Sequence, residues 1–338
     1  MKYTLIALSI LTAVSALSWG ITSIILVVIA VTVAVSLDYA LSLVMKTKGP
    51  VNTLSAAVFG QIVALSYSLA NTSSFAFGYY LTSYYEPELI PQVAPMAFVY
   101  VAIISAVGMI LFKKLQGLLK RKYVNPAAAA KLIVLFPFLP NVLLSQGHAN
   151  SIALAGPVGY NYNSTSLSGA LASLIVGCFG NIQTRPDTLA VSQTDVFQTL
   201  TLLKYHGWVG GASSIAVIIV GLSLFIIARK YVKWRITLSY LATVTLMSLI
   251  MFAVYGGDPV LRVGFELFIG SSIFLAFFMA TDPATTPEKH FGQGLFGFGL
   301  GVLTVLIQMY MGFLGGSILA LVIMNLTTPL LDRIKFGR

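Results

Sequence analysis

Long runs of apolar residues separated by short polar segments dominate this sequence. A helix needs roughly 20 apolar residues to cross the hydrocarbon core of a bilayer. The pattern therefore predicts an all-α polytopic membrane protein with about ten transmembrane helices. The candidate spans are 4–19, 21–45, 52–71, 93–112, 127–147, 209–228, 235–255, 262–281, 293–311 and 314–331. A further apolar stretch, 166–180, is too short and too rich in Ser and Gly to span, and we interpret it as a re-entrant or interfacial element.

The first twenty residues have the pattern of a signal peptide, with Lys2, an apolar run and then Ala16-Leu17-Ser18. A second apolar run follows at once, from Ile21 to Met45. We therefore interpret the first run as a retained span.

The basic residues give the spans an orientation, because cytoplasmic segments of membrane proteins are enriched in Lys and Arg. With ten spans and both termini inside, all but three of the 20 basic residues fall on the inner side, Lys131 among them. The three on the outer side are Arg185, Lys204 and Arg262. We predict a multi-pass protein of the plasma membrane with both termini cytoplasmic.

The predicted spans divide the chain into two halves around a long outer loop. Residues 1–147 hold five spans, 148–208 form the loop, and 209–338 hold the other five. An odd number of spans per half makes the second half enter the membrane from the opposite side, as in the inverted repeats of many transporters. We predict two inverted five-helix halves from this topology, since the halves share no convincing sequence similarity.

Composition supports the membrane class and excludes several chemistries. Only 9% of the residues are charged and 57% are hydrophobic, whereas soluble proteins carry roughly 25% charged residues. The net charge of +10 lies in short runs between the spans, which is typical of topology signals rather than of nucleic-acid binding. Cys178 is the single cysteine, so this chain alone cannot form a disulfide or a cysteine-ligated cluster. The three histidines show no pairing at helical ligand spacing, which argues against a bis-His haem.

Three carboxylates lie within or at the ends of spans, where ionisable groups are costly and tend to be functional. Asp38 lies in the second span with no basic neighbour in sequence, so we interpret it as a cation or proton site or as a carboxylate bonded to another helix. Glu266 lies one helical turn after Arg262, and the pair favours an interfacial ion pair over an ion pathway. Asp282 ends the eighth span. Glycines between 292 and 301 favour close helix packing over a ligand site.

The segment Ala276-Phe277-Phe278-Met279-Ala280-Thr281-Asp282-Pro283 resembles the signature of the D subunit of Rnf-type electron-transport complexes. The B subunit of the sodium-pumping NADH:quinone reductase is its relative. Further resemblances follow in order along the chain, at Asn125-Pro126-Ala127, Trp234-Arg235-Ile236, Gly297 through Val302, and Met324-Asn325 to Leu331-Asp332. The resemblance is good over 209–332 and patchy over 113–147.

The resemblance implies a membrane subunit of an ion-translocating oxidoreductase that carries FMN, joined by a phosphoester to a threonine of the outer loop. The family's attachment pattern is Ser or Thr, a small residue, Ala, and the acceptor Thr. Here that place holds Leu189-Ala190-Val191-Ser192-Gln193-Thr194-Asp195, in which strict register puts Asp195 on the acceptor position. A slip of one residue makes Thr194 the acceptor, Ser192 is the second choice, and Arg185 would offset the charge of the phosphate. The sequence leaves two questions open: whether a flavin is covalently attached at all, and whether a second, non-covalent flavin binds.

The same resemblance implies partners, because the chain lacks ligands for iron–sulphur clusters. These would be two other polytopic subunits, a flavin-bearing single-span subunit and peripheral iron–sulphur proteins. Such a complex couples the oxidation of reduced ferredoxin to export of Na⁺ or H⁺. Two other functions remain open on the sequence alone: a small-solute channel or transporter of urea- or ammonium-transporter-like architecture, and a structural membrane subunit without a cofactor.

Overall fold

The computed structural model describes residues 1–44, 53–67, 96–116, 123–135, 201, 208–229, 231–255, 259–268, 272–310 and 316–334. Within these ranges the regular elements are all helical and no strand occurs. The predicted loop 148–208, apart from Thr201 and Trp208, and the predicted re-entrant stretch 166–180 lie outside the described residues.

The helices of the first half follow the apolar runs. They are α1 (Lys2–Trp19), α2 (Ile21–Val44), α3 (Thr53–Leu65), α4 (Met96–Val107) with a π-helical continuation (Gly108–Leu115), and α5 (Pro126–Leu135). The Asn125 side chain caps α5, since its Oδ1 accepts hydrogen bonds from the backbone N–H groups of Ala127 and Ala128, at 3.0 and 3.2 Å. The sequence places Asn125-Pro126-Ala127 at the start of a span, and a capping Asn followed by Pro is the local reason for that start.

The second half begins with a 3₁₀ turn (Val209–Gly211) that leads into α6 (Ser214–Ile227). The remaining elements are α7 (Trp234–Tyr255), α8 (Pro259–Phe268), α9 (Ser272–Phe274) with a π-helical continuation (Leu275–Met279), α10 (His290–Tyr310) and α11 (Gly316–Leu331). Helix thus occupies part of each predicted span. Among the described residues, four helical segments are long and apolar enough to cross a membrane: Ile21–Val44, Met96–Leu115, Trp234–Val254 and His290–Gln308.

Large apolar side chains cover the outside of the helices. Ile226 is 77% exposed, and Val28, Leu246 and Leu326 each expose about half of their surface or more. A soluble protein rarely exposes so much contiguous apolar surface. Lipid is the environment in which these faces are stable, as the low fraction of charged residues predicts.

The helices of the two halves pack in a similar order. In the first half α2 packs on α3 and α4, and α4 packs on α5. In the second half α7 packs on α8 and α10, and α10 packs on α11. The halves meet where α1 contacts α6 and where α5 contacts α11.

Glycines set the closest approach between helices. A Cβ atom on Gly297 would lie 2.5 Å from the carbonyl oxygen of Ile236, and one on Gly301 would lie 2.7 Å from the Cβ of Thr243. Small residues allow such close approach of helix backbones in membranes. The predicted packing role is confirmed for Gly297 and Gly301, whereas nothing lies within 4 Å of the Cβ position of Gly294.

Candidate functional site

The Thr281-Asp282-Pro283 turn follows the π-helical segment and is held by its own side chains. The Asp282 carboxylate accepts hydrogen bonds from the backbone N–H of Ala284 at 3.1 Å and from the Thr285 hydroxyl at 3.4 Å. The backbone carbonyl of Asp282 accepts a further hydrogen bond from the Thr286 hydroxyl at 2.6 Å. Asp282 is therefore a half-buried turn carboxylate at the end of a buried segment, with part of its surface open to a ligand.

A network of amide groups joins this turn to α5 and α11. The Asn325 side chain accepts a hydrogen bond from the backbone N–H of Asn125 at 2.8 Å and donates one to the Thr285 carbonyl at 3.2 Å. Asn125 in turn donates from its side chain to the Met279 carbonyl at 3.3 Å. All of these bonds are buried, so the two segments that carry the family resemblance, around 125 and around 281, meet at one point between the halves.

Lys233 stabilises the same turn from the segment between α6 and α7. Its ammonium donates to the carbonyls of Pro283 and Thr286 and to the Thr286 hydroxyl, at 3.1, 2.8 and 3.0 Å. Burial lowers the pKa of Lys233 from its ordinary value, although the negative charges of Asp282, Glu288 and Asp332 act in the opposite direction. Lys233 and these carboxylates therefore form one charged cluster beside the turn.

Asp38 is 4% exposed and forms an ion pair with Lys114, whose Nζ lies 2.6 Å from the Asp38 Oδ1. Lys114 belongs to the π-helical continuation of α4, so the partner comes from another helix and is invisible to local sequence spacing. A buried carboxylate with an ammonium partner can be structural, and it can also exchange that partner for a mobile cation. The predicted role of Asp38 in an ion pathway therefore stays a prediction.

Glu266 on α8 is 2% exposed and lies within electrostatic reach of the phenol of Tyr240 on α7. The side chain of Arg262, its predicted partner one turn earlier, lies outside the described part of the structure. The burial of Glu266 places this carboxylate inside the helix bundle. Its assignment to an ion pathway also stays a prediction.

Lys131 is a buried cation whose surroundings the charge pattern of the sequence did not reveal. That pattern counted it with the inner-side basic residues, and the structure shows that it lies within α5 and is 1% exposed. Its ammonium donates to the carbonyl of Ser66 at the end of α3 and lies 4.6 Å from the ring centre of Trp208 and 5.9 Å from that of Tyr67. A carbonyl and two aromatic faces are partners that make a buried ammonium tolerable. A lone Lys in the apolar run after Asn125-Pro126 was the sequence signal that could have marked it.

The residues predicted to hold the flavin, namely Thr194, Ser192 and Arg185, lie outside the described residues, as does Cys178. Within the described ranges no group of three or more His, Cys, Asp or Glu side chains is placed to hold a metal ion. The chemistry that the described part offers is therefore carboxylate, ammonium, amide and hydroxyl chemistry within a helix bundle.

Comparison with known proteins supports the resemblance and extends it along the chain. The model of the NQR2, RnfD, RnfE family matches residues 69–336. The D subunit of the Na⁺-translocating ferredoxin:NAD⁺ oxidoreductase complex of Acetobacterium woodii is 28% identical over 333 residues, which are 98% of this chain and 87% of the relative. The D subunit of the proton-translocating ferredoxin:NAD⁺ oxidoreductase complex of Clostridium ljungdahlii is 28% identical over 80% of this chain and 76% of the relative. The D subunit of an ion-translocating oxidoreductase complex of Shewanella amazonensis is 32% identical over 72% of this chain and 71% of the relative.

Proposed function

Because the chain belongs to the NQR2, RnfD, RnfE family, we propose that it is the D-type membrane subunit of a complex that couples electron transfer from reduced ferredoxin to translocation of Na⁺ or H⁺. The observation that carries this proposal is the match to the D-type member of such a complex over 98% of the chain. Two relatives at the same identity are named for Na⁺ and for protons, so their names support ion translocation without selecting the ion. The names of these relatives lend no support to a solute channel.

The proposed architecture is ten spans in two inverted five-helix halves, with both termini in the cytoplasm. Helix in part of every predicted span and the similar packing order in the two halves support it. Asp38 and Glu266 inside the bundle and Asp282 at the turn are the proposed ion-pathway carboxylates. Ionisable groups within spans are costly and tend to be functional, and Asp38 would take part by exchanging its Lys114 partner for a passing cation.

The proposed cofactor is FMN attached to Thr194, with Ser192 as the second choice and Arg185 as a counter-charge. A phosphoester requires a hydroxyl, which Thr194 and Ser192 supply and Asp195 cannot. Bound there, the flavin would accept electrons and pass them on. The iron–sulphur proteins and other membrane subunits of the complex would supply the remaining electron carriers, because this chain has a single cysteine.

Peptide mass spectrometry across residues 186–204 tests the cofactor assignment, with protein from cells that contain an active flavin transferase. The wild type should carry an FMN adduct, and Thr194→Ala should lose it. Thr199→Ala, a matched change in the same loop, should keep it. An adduct that persists in Thr194→Ala moves the site to another hydroxyl, and a wild-type peptide without an adduct refutes covalent attachment.

The subunit assignment is tested by purification. Under the proposal the chain purifies with redox partners, and the complex moves Na⁺ or H⁺ during ferredoxin oxidation. A chain that purifies alone and passes a small solute would contradict it.

A further inference from the structure

A buried positive charge lies where a short helix of the first half ends. Helix α3 stops at Leu65 after 13 residues, well short of the roughly 20 residues that cross a bilayer. Ser66 and Tyr67 follow it, and both are fully or almost fully buried. The Lys131 ammonium, carried by α5, donates a hydrogen bond to the Ser66 carbonyl. The C-terminal end of α3 thus lies inside the protein and is contacted by a cation from another helix.

Dipoles and ring faces at this site favour the charged form of Lys131. Carbonyl groups at the C-terminal end of a helix lack partners within it and carry a partial negative charge, and the Ser66 carbonyl follows this end directly. The ring centres of Trp208 and Tyr67 lie 4.6 and 5.9 Å from the ammonium, within the range of cation–π attraction. Among the described residues, no carboxylate forms an ion pair with Lys131. The site therefore stabilises a positive charge without neutralising it.

The same site joins the two halves of the protein. The Tyr67 carbonyl, just after α3, accepts a hydrogen bond at 2.8 Å from the backbone N–H of Val209, where the second half begins. Trp208, whose ring contacts the ammonium, precedes Val209 and is 1% exposed. In transporters built from inverted repeats, ions bind at the contact between the repeats, and the C-terminal ends of broken helices coordinate them. The Lys131 ammonium occupies the kind of position that a free cation takes in such proteins.

We propose that the Lys131 ammonium acts as a tethered cation that closes the contact between the halves to free Na⁺ and H⁺. Its charge repels a cation that approaches through the low-dielectric interior. Its hydrogen bond occupies the Ser66 carbonyl that such a cation would use. The inference rests on the proposed function and deepens it, since it names a residue that prevents ions from crossing without electron transfer.

The test measures passive ion leakage through the assembled complex in proteoliposomes, in the absence of ferredoxin. Lys131→Gln keeps a hydrogen-bond donor for the Ser66 carbonyl but removes the charge. It should speed the decay of an imposed Na⁺ or H⁺ gradient by about tenfold, which corresponds to about 1.4 kcal/mol. Lys131→Arg keeps the charge and should be as tight as the wild type. Lys289→Gln is the matched control, because Lys289 also donates to a backbone carbonyl, that of Ile334 at 3.2 Å, but is exposed.

Ion selectivity and assembly separate this role from a structural one. A gradient that decays at the wild-type rate in Lys131→Gln overturns the barrier, and so does a leak that rises equally for Cl⁻, because it reports loosened packing. If Lys131→Gln does not assemble, Lys131→Met also removes the charge and carries the same expectation. Failure of both to assemble beside an intact Lys131→Arg variant shows that the charge serves the fold, and it overturns the barrier. These outcomes leave the proposed function intact, whereas a wild-type complex that oxidises ferredoxin and moves neither ion overturns that function.

Discussion

Alanine at position 297 should destabilise the protein, whereas alanine at position 294 should not. Both glycines lie on α10, three residues apart, but only at Gly297 would an added Cβ meet α7, since nothing lies within 4 Å of the Cβ position of Gly294. The added Cβ at 297 would lie 2.5 Å from the Ile236 carbonyl oxygen, and ordinary contact begins at 3.4 Å. The backbones of α7 and α10 must therefore move apart by about 0.9 Å, because a carbonyl in a helix cannot rotate away as a side chain can.

The size of that movement determines how much stability Gly297→Ala should lose. A gap of 0.5–1 Å forfeits roughly a quarter to a half of the dispersion energy of the affected contacts, and overpacking in cores costs about 1–3 kcal/mol. Both substitutions share the gain in helix propensity of about 1 kcal/mol from Gly to Ala. The difference between the two variants should therefore be about 1–3 kcal/mol, with Gly297→Ala the less stable.

The assay is heating of detergent-solubilised protein followed by size-exclusion chromatography with fluorescence detection, on wild type and both variants. Gly294→Ala should melt at or slightly above the wild-type temperature, and Gly297→Ala should melt several degrees below it. Equal melting of the two variants would refute the claim that backbone contact at Gly297 fixes the distance between α7 and α10.

Two other predictions follow from the charged groups. Asp38→Asn should reduce coupled ion transport while the complex stays assembled, and the double change Asp38→Asn with Lys114→Gln should not restore transport. Recovery of transport in the double variant would show that the ion pair is structural. Burial lowers the pKa of Lys233. In the alkaline range between that lowered value and 10.5, the unfolded chain therefore binds more protons than the folded chain. The contribution of Lys233 to the free energy of unfolding rises with pH in this range. The melting temperature should rise with pH in this alkaline range below 10.5, Lys233→Gln should flatten the rise, and an unchanged slope would contradict it.

The local features of the fold could be predicted from the sequence. The apolar runs place α1, α2, α7 and α10 within a few residues of their observed bounds, because a run of about 20 apolar residues has few stable alternatives in a bilayer. The start of α5 follows from Asn125-Pro126, since capping acts within a single turn. The family resemblance also came from the sequence, through the Ala280-Thr281-Asp282-Pro283 segment, and the family match confirms it.

Only the tertiary structure decided which side chains meet. Asp38 and Lys114 are 76 residues apart, and Asn125 and Asn325 are 200 apart, so no periodicity in the sequence relates them. The burial of Lys131 and its hydrogen bond to the Ser66 carbonyl depend on how helices face each other. Sequence spacing specifies neighbours within about one helical turn, whereas contacts between helices are set by packing of the whole bundle. The sequence by itself therefore determined the class, the approximate spans and the family, and the packing of the helices determined the partners of each buried polar group.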